Sequence, residues 1–282
     1  MDKKVDSMKA VGKNRVPIFS AQALYQKHPY EVRMLIRKGE LDRQTSGISG
    51  GYAQGNLVVL PQKYAYDFLL FAQRNPKPCP ILEVSDVGSR EFKLTAKGSD
   101  IANDIPRYYI YENGVKTVEV TSLDDYWRDD LVSFLLGCSF SFEAPLLDAG
   151  IEIRHITEDC NVPMYITNIQ TTPAGIFRGP MVVSMRPMPY DQVVKAVTIT
   201  NQLPQVHGAP VHIGNPALIG IQDIHTPDFG DAVTIKPGEV PVFWACGVTP
   251  QAAVMQSKPD LVMTHAPGHM FITDLKNSDL TG

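Results

Sequence analysis

Apolar positions along the chain change their period several times, and each change marks an element. Near the N-terminus the spacing is helical. Ser20 can cap AQALYQ, and Tyr30 to Lys38 sets Val32, Leu35 and Ile36 on one face before Gly39 stops the run. A Gly/Ser-rich loop, TSGISGGYAQGN, leads into a short apolar strand from Leu57 to Leu60. Gln62 to Arg74 then returns to helical spacing through Tyr66, Leu69, Leu70 and Phe71. The segment NPKPCP, 75–80, breaks that helix. Beyond it, Ile81 to Val84 reads as a strand, Tyr108 to Val120 as a hairpin about Glu112-Asn113-Gly114, and Leu123 to Leu136 as a helix showing Trp127, Leu131, Phe134 and Leu135 on one face. After Gly137, strands at Met164 to Ile169, Met181 to Met185, Val240 to Ala245 and Leu261 to Thr264 alternate with helices at Asp191 to Asn201 and Gln251 to Ser257. This alternation predicts an α/β fold with a mixed sheet and flanking helices. The main domain is expected over 1–74 and 138–282, with a smaller α+β domain inserted at 75–137. In such sheets ligands bind at the loops beyond the carboxyl ends of strands.

Composition narrows the class. The chain has 282 residues, 44% hydrophobic and 20% charged, which is ordinary for a globular protein. Its 26 basic and 30 acidic residues are mixed along the sequence and sum to −4, so no nucleic-acid partner is expected. No apolar run reaches the roughly 20 residues of a membrane helix, so no membrane partner is expected either. The opening MDKKVDSMKAVGKNR lacks the apolar core of a secretory signal and reads as a frayed polar tail. Cys79, Cys138, Cys160 and Cys246 form no CxxC pair; they read as free thiols in a reducing, cytoplasmic setting. Association with further copies of the chain is left open.

Candidate chemistry gathers in loops of the C-terminal half. GCSFSFE offers Ser139 and Ser141 as donors to a bound carboxylate and Glu143 as a proton carrier, although the same residues fit a helix end followed by a capped turn. Asn168 ends a strand where its amide can orient a substrate or close its own turn. Arg186 ends the apolar strand MVVSMRP, where its fork suits a carboxylate, either a substrate's or a structural one. HGAPVHIG carries His207 and His212 about a stiff turn, and THAPGHMFITD carries His265 and His269 about another. FWACGVTPQ ends a strand at Cys246 and Gly247, and Thr249-Pro250 makes a helix start, with Thr249 at the cap. Its free N–H groups would favour an anion or a thiolate. Asp223 and Asp228 could orient nearby imidazoles.

Long segments of the chain resemble the D-glutamate cyclase family, which also carries the label hydro-lyase. They are GYAQGNLVVLP, NPKPCPILEV, the D-I-x-x-D-I-P-R-Y stretch from Asp100 to Tyr108, WRDDLVSFLLGCSFSFE, NVPMYITN, MVVSMRP, HGAPVHIG, FWACGVTPQ and THAPGHMFITDL. The resemblance runs from about Gly51 to Leu275, with Gly55 and Thr171 standing where Ala and Cys are usual. It implies closure of D-glutamate to 5-oxo-D-proline with loss of water, and a two-part architecture.

That reaction needs a base for the ammonium, donors for a poor carboxylate electrophile, and an acid for the departing oxygen. His207 and His212 are the candidate acid and base. Arg186 is the candidate clamp for the α-carboxylate. Gly247 and Thr249 would hold the oxyanion, Ser139, Ser141 and Asn168 would orient the substrate, and His265 and His269 would contact it. Cys246 is a secondary candidate nucleophile. No cofactor is required, and no phosphate-binding glycine fingerprint appears, so nucleotide activation is not expected. Two other readings are a metal-dependent lyase or hydrolase built on His207, His212, His265 and His269, and a sensor of small carboxylates without turnover.

Overall fold

The computed structural model describes residues 19–281; the polar tail read at the N-terminus lies outside them. In chain order the elements are α1 (Ala21–Tyr25), α2 (Pro29–Arg37), β1 (Tyr52–Pro61), α3 (Gln62–Arg74), β2 (Ile81–Val84), β3 (Tyr108–Glu112), β4 (Val115–Val120), β5 (Leu131–Gly137), α4 (Phe140–Asp148), α5 (Arg154–Thr157), β6 (Met164–Gln170), β7 (Pro180–Pro189), α6 (Val193–Asn201), β8 (His212–Ile213), β9 (Glu239–Ala245), α7 (Thr249–Ser257), β10 (Val262–His265) and β11 (Phe271–Lys276). The class is α/β, with two sheets and flanking helices.

A seven-stranded sheet runs β2-β5-β1-β10-β3-β4, with β11 also paired to β1; a four-stranded sheet runs β6-β7-β9-β8. Every pairing among these strands is antiparallel. The parallel-sheet rule for locating ligands therefore has no purchase here. Segment 75–137, expected as an inserted domain, supplies β2, β3, β4 and β5 to the same sheet as β1, β10 and β11.

Side-chain alternation explains the seven-stranded sheet. On β1, Leu57 and Val59 face one core, which Leu131 and Leu135 of β5 join; Phe92, Ile101 and Ile105 from the connection between β2 and β3 cover it. Val58 and Leu60 face the other core with Val132, Phe134 and Leu136, under Phe68 and Phe71 of α3 and Val254 of α7. Residues 131–136 are thus a strand buried on both faces, not the C-terminal half of a helix over 123–136. A continuous apolar run satisfies helical spacing and a two-sided strand equally. Trp127 lies outside any helix and donates its indole N–H to the Gly88 carbonyl at 3.3 Å.

The four-stranded sheet likewise has two covered faces. Met188, Val242 and Trp244 pack against Phe142 and Leu146 of α4 and Ala196 of α6. Tyr165, Val183, Met185 and Phe243 lie under Ile219, Ile221 and Val233. The path from β5 through Gly137 into α4 carries the chain from the large sheet to this second core. Phe134→Ala is expected to cost about 3–5 kcal/mol in urea unfolding, because the ring is 1% exposed and meets Phe68 edge-on at 4.8 Å. A loss below about 1 kcal/mol would contradict burial on both faces of β5.

Candidate active site

α4 starts three residues after β5 ends, which fixes where its first turn points. Glu143 lies in that turn, 2% exposed. Arg186, fully buried in β7, reaches it from the four-stranded sheet: Nε donates to Glu143 Oε1 at 3.2 Å, and Nη2 makes a closer contact with the same oxygen. The guanidinium is filled on its other sides. Nη1 donates to Ser184 Oγ at 3.0 Å and Nη2 to Ser139 Oγ at 3.1 Å, while the carbon centre sits 4.9 Å from the Phe142 ring and 5.7 Å from Trp244.

His155, from the short helix α5, approaches the carboxylate from the other side. Its Nε2 is 3.1 Å from Glu143 Oε1, and its ring stacks on Phe140 at 6.0 Å. Ser46, in the loop before β1, donates to Glu143 Oε2 at 3.2 Å and lies 3.5 Å from His155 Nε2. Burial alone would raise the Glu143 carboxyl, but the charges of His155 and Arg186 and their hydrogen bonds bring it down to about 2. The result is an ionised carboxylate, clamped on one side and facing an imidazole and a hydroxyl on the other.

Ser46 and His155 also line a cleft of about 210 Å³ between the 43–48 loop, α1 and the α4–α5 region. Leu24, Ile48, Leu147 and Ile156 make its apolar wall. A side recess of about 30 Å³ reaches Glu143 itself. Both are below the roughly 300–1,000 Å³ of drug-sized ligand sites, which restricts occupants to small molecules.

Three residues expected from the sequence thus converge: Glu143, Arg186 and Ser139. Arg186 differs in role, because every side of its guanidinium is engaged within the fold and none is left for a substrate carboxylate. The other candidates lie elsewhere, most of them with a structural occupation. Ser141 Oγ accepts from the backbone N–H of Gln54 at 2.9 Å, pinning α4 to β1. Cys246 is buried, and burial pushes its thiol up to about 11, away from a thiolate. Thr249 does not cap α7. Val248 holds that position without a side-chain bond, and the Thr249 hydroxyl donates to the Cys246 carbonyl at 2.7 Å and accepts from Val182 N–H at 3.0 Å. A Cβ on Gly247 would lie 1.9 Å from Asn56 Nδ2, so the space assigned to an oxyanion holds an amide that donates to the Gly137 carbonyl.

The four loop histidines are dispersed among separate partners. His207 donates from Nδ1 to the Lys77 carbonyl at 2.8 Å. His212, in β8, bonds the Asn215 carbonyl at 2.7 Å and leans on Phe243. His265 Nδ1 lies 3.1 Å from Leu57 N, and His269 Nδ1 lies 3.1 Å from the Pro267 carbonyl. Among the described residues no group of three or more His, Cys, Asp or Glu side chains is placed to hold a metal ion, so the metal reading of these histidines lacks a ligand set. Asn168 is exposed beside Gly220. Sequence reasoning missed His155, Ser46 and Ser184. His155 sits in the charged stretch EIRHITED without the Gly and Pro that drew attention to the other imidazoles.

Burial pushes His207 and His265 down to about 4, and His269 in the same direction. In the unfolded chain these imidazoles titrate near 6.5. Between the two values the unfolded state binds the extra protons, so stability falls as pH falls. Below about pH 6.5 the unfolding free energy should fall, with a slope that approaches about 1.4 kcal/mol per pH unit near pH 5 for each of His207 and His265. Urea titrations across that window would measure the slope, and His265→Gln should shallow it. A flat profile would contradict neutral burial.

The model for the D-glutamate cyclase family matches residues 132–274, which spans β5, α4 and Arg186. A Clostridium beijerinckii protein named "Putative hydro-lyase" is 65% identical over 252 residues, covering 89% of this chain and 96% of its own. Proteins of the same description from Psychrobacter arcticus and Thermoanaerobacter sp. strain X514 are 64% and 65% identical over 252 residues, covering 89% of this chain and 96% and 95% of their own. Among the described residues no helix is long and apolar enough to cross a membrane. With near full-length agreement at such identity, the chain belongs to the D-glutamate cyclase family.

Proposed function

We propose that the protein is a hydro-lyase that closes D-glutamate, or a closely related small amino acid, to a lactam with loss of water, in the cleft above Ser46, Glu143 and His155. The observation that carries this reading is the buried, ionised Glu143 set between Arg186 and His155 at the base of a small cleft.

The chemistry assigns roles. In the closure, the amine nitrogen forms a bond to the side-chain carboxyl carbon and a C–O bond breaks. Two protons leave the ammonium and two end on the departing oxygen, so no outside reductant, oxidant or activating group enters the balance. An imidazole is the side chain suited to relay such protons at neutral pH. His155 fills that role, and Glu143 holds its ring and stabilises the imidazolium formed midway. The Ser46 hydroxyl, turning from Glu143 Oε2, donates to the carboxyl oxygen on which charge develops. Arg186 is a positioning residue: it keeps Glu143 ionised and fixed. The apolar wall of Leu24, Ile48, Leu147 and Ile156 accommodates the methylene chain and excludes competing water.

Incubation with D- and L-glutamate, followed by chromatographic detection of 5-oxoproline, tests the reaction; folded protein that yields none from either would remove this substrate. Loss of a general acid–base group lowers turnover about 10²–10⁴-fold. His155→Ala and Glu143→Gln should each fall in that range, while His212→Ala should stay within about twofold. Full turnover in His155→Ala would end the assignment.

A further inference from the structure

We infer that Arg43 is the specificity residue that receives the substrate's α-carboxylate. The inference rests on the cyclase reading for the name of the substrate, but not for the class of ligand. Among the described residues that line the cleft, Arg43 and Asp159 carry the only fixed charges. Ser46 and His155 lie at the buried end; Arg43 and Asp159 are exposed at the mouth, with side chains 44% and 90% accessible. The cleft thus has a polar floor, an apolar wall and a cationic rim. A short chain with a carboxyl group at each end matches that sequence of environments.

The other arginines nearby are already occupied. Arg186 is fully buried and bonded to Glu143, Ser184 and Ser139. Arg107, in the groove next to Arg43, is held by both oxygens of Asp42 and by Glu119. Arg43 has one partner among the described residues, a single Nη2 contact to Asp159 Oδ1 at 3.3 Å. A guanidinium offers five N–H donors in a planar fork, so a carboxylate in two-point contact can displace or join that long, exposed pair with little loss. Asp159 keeps the fork turned toward the mouth, and its own charge turns away carboxylates that do not reach Arg43 squarely.

The test uses ligands that cannot react. Glutarate carries a carboxylate at both ends of a three-methylene chain; butyrate lacks one. Calorimetry on the full-length protein should show glutarate binding at least tenfold more tightly than butyrate. Arg43→Ala should erase that preference by weakening glutarate alone, and Arg43→Lys should restore part of it. In turnover of D-glutamate, Arg43→Ala should raise KM at least tenfold and leave kcat within about threefold. Equal glutarate affinity in wild type and Arg43→Ala, or no preference over butyrate in wild type, overturns the inference. Intact preference without formation of 5-oxoproline leaves Arg43 as the carboxylate receptor and removes the cyclase reading alone.

Discussion

The arrangement depends on one buried carboxylate. Glu143 is delivered by the turn that ends β5 of the large sheet; Arg186 is delivered by the middle of β7 of the small one. Their contact ties the two sheets across a buried interface. Removing a carboxylate and a guanidinium from water costs several kcal/mol each, and an apolar pair of similar volume would hold the interface at least as well. Adhesion alone therefore gives no reason for a charged pair there, whereas the proposed chemistry does. The same carboxylate that meets Arg186 also meets His155 and Ser46, and those two face a cleft. Aromatic rings of Phe140, Phe142 and Trp244 surround the group and keep the local dielectric low, so each charge acts strongly on its neighbours.

The Gly, Pro and Cys loops that dominate the C-terminal half act largely through packing. Gly137 is required because a Cβ there would lie 1.8 Å from the Gln205 carbonyl, and Gly247 because Asn56 fills the space beside it. His207 takes a left-handed backbone, φ 83°, to turn the chain beneath β5, and its Nδ1 is taken by the Lys77 carbonyl. Cys138 and Cys246 lie in one apolar cluster with Phe140, Val182 and Met270. These loops form the seam between the sheets, which positions the chemical centre from behind.

Much of the fold was legible because hydrophobic period reports local structure directly. The caps at Ser20 and Gly39, the Asn-Gly hairpin and helix α3 all follow from short-range rules. β5 was not, since a strand with both faces buried has no alternation to read. The antiparallel sheets were hidden for a different reason: pairing direction depends on which distant strands meet. At the site, Glu143, Arg186 and Ser139 were readable as polar groups in apolar surroundings, which burial makes costly and therefore meaningful. His155 and Ser46 come from segments whose composition is that of an ordinary surface, and only the path of the chain brings them to Glu143. Conversely, strand-end histidines looked chemical because Gly and Pro flank them, and backbone groups turned out to be their partners.

The most direct measurement is a crystal structure of the protein with glutarate bound. The account predicts density in the cleft, one carboxylate over Ser46 and His155 beside Glu143 and the other toward Arg43. Density seated instead against Cys246 and Thr249, or among the loops of His207 and His212, with the cleft above Glu143 vacant, would contradict it.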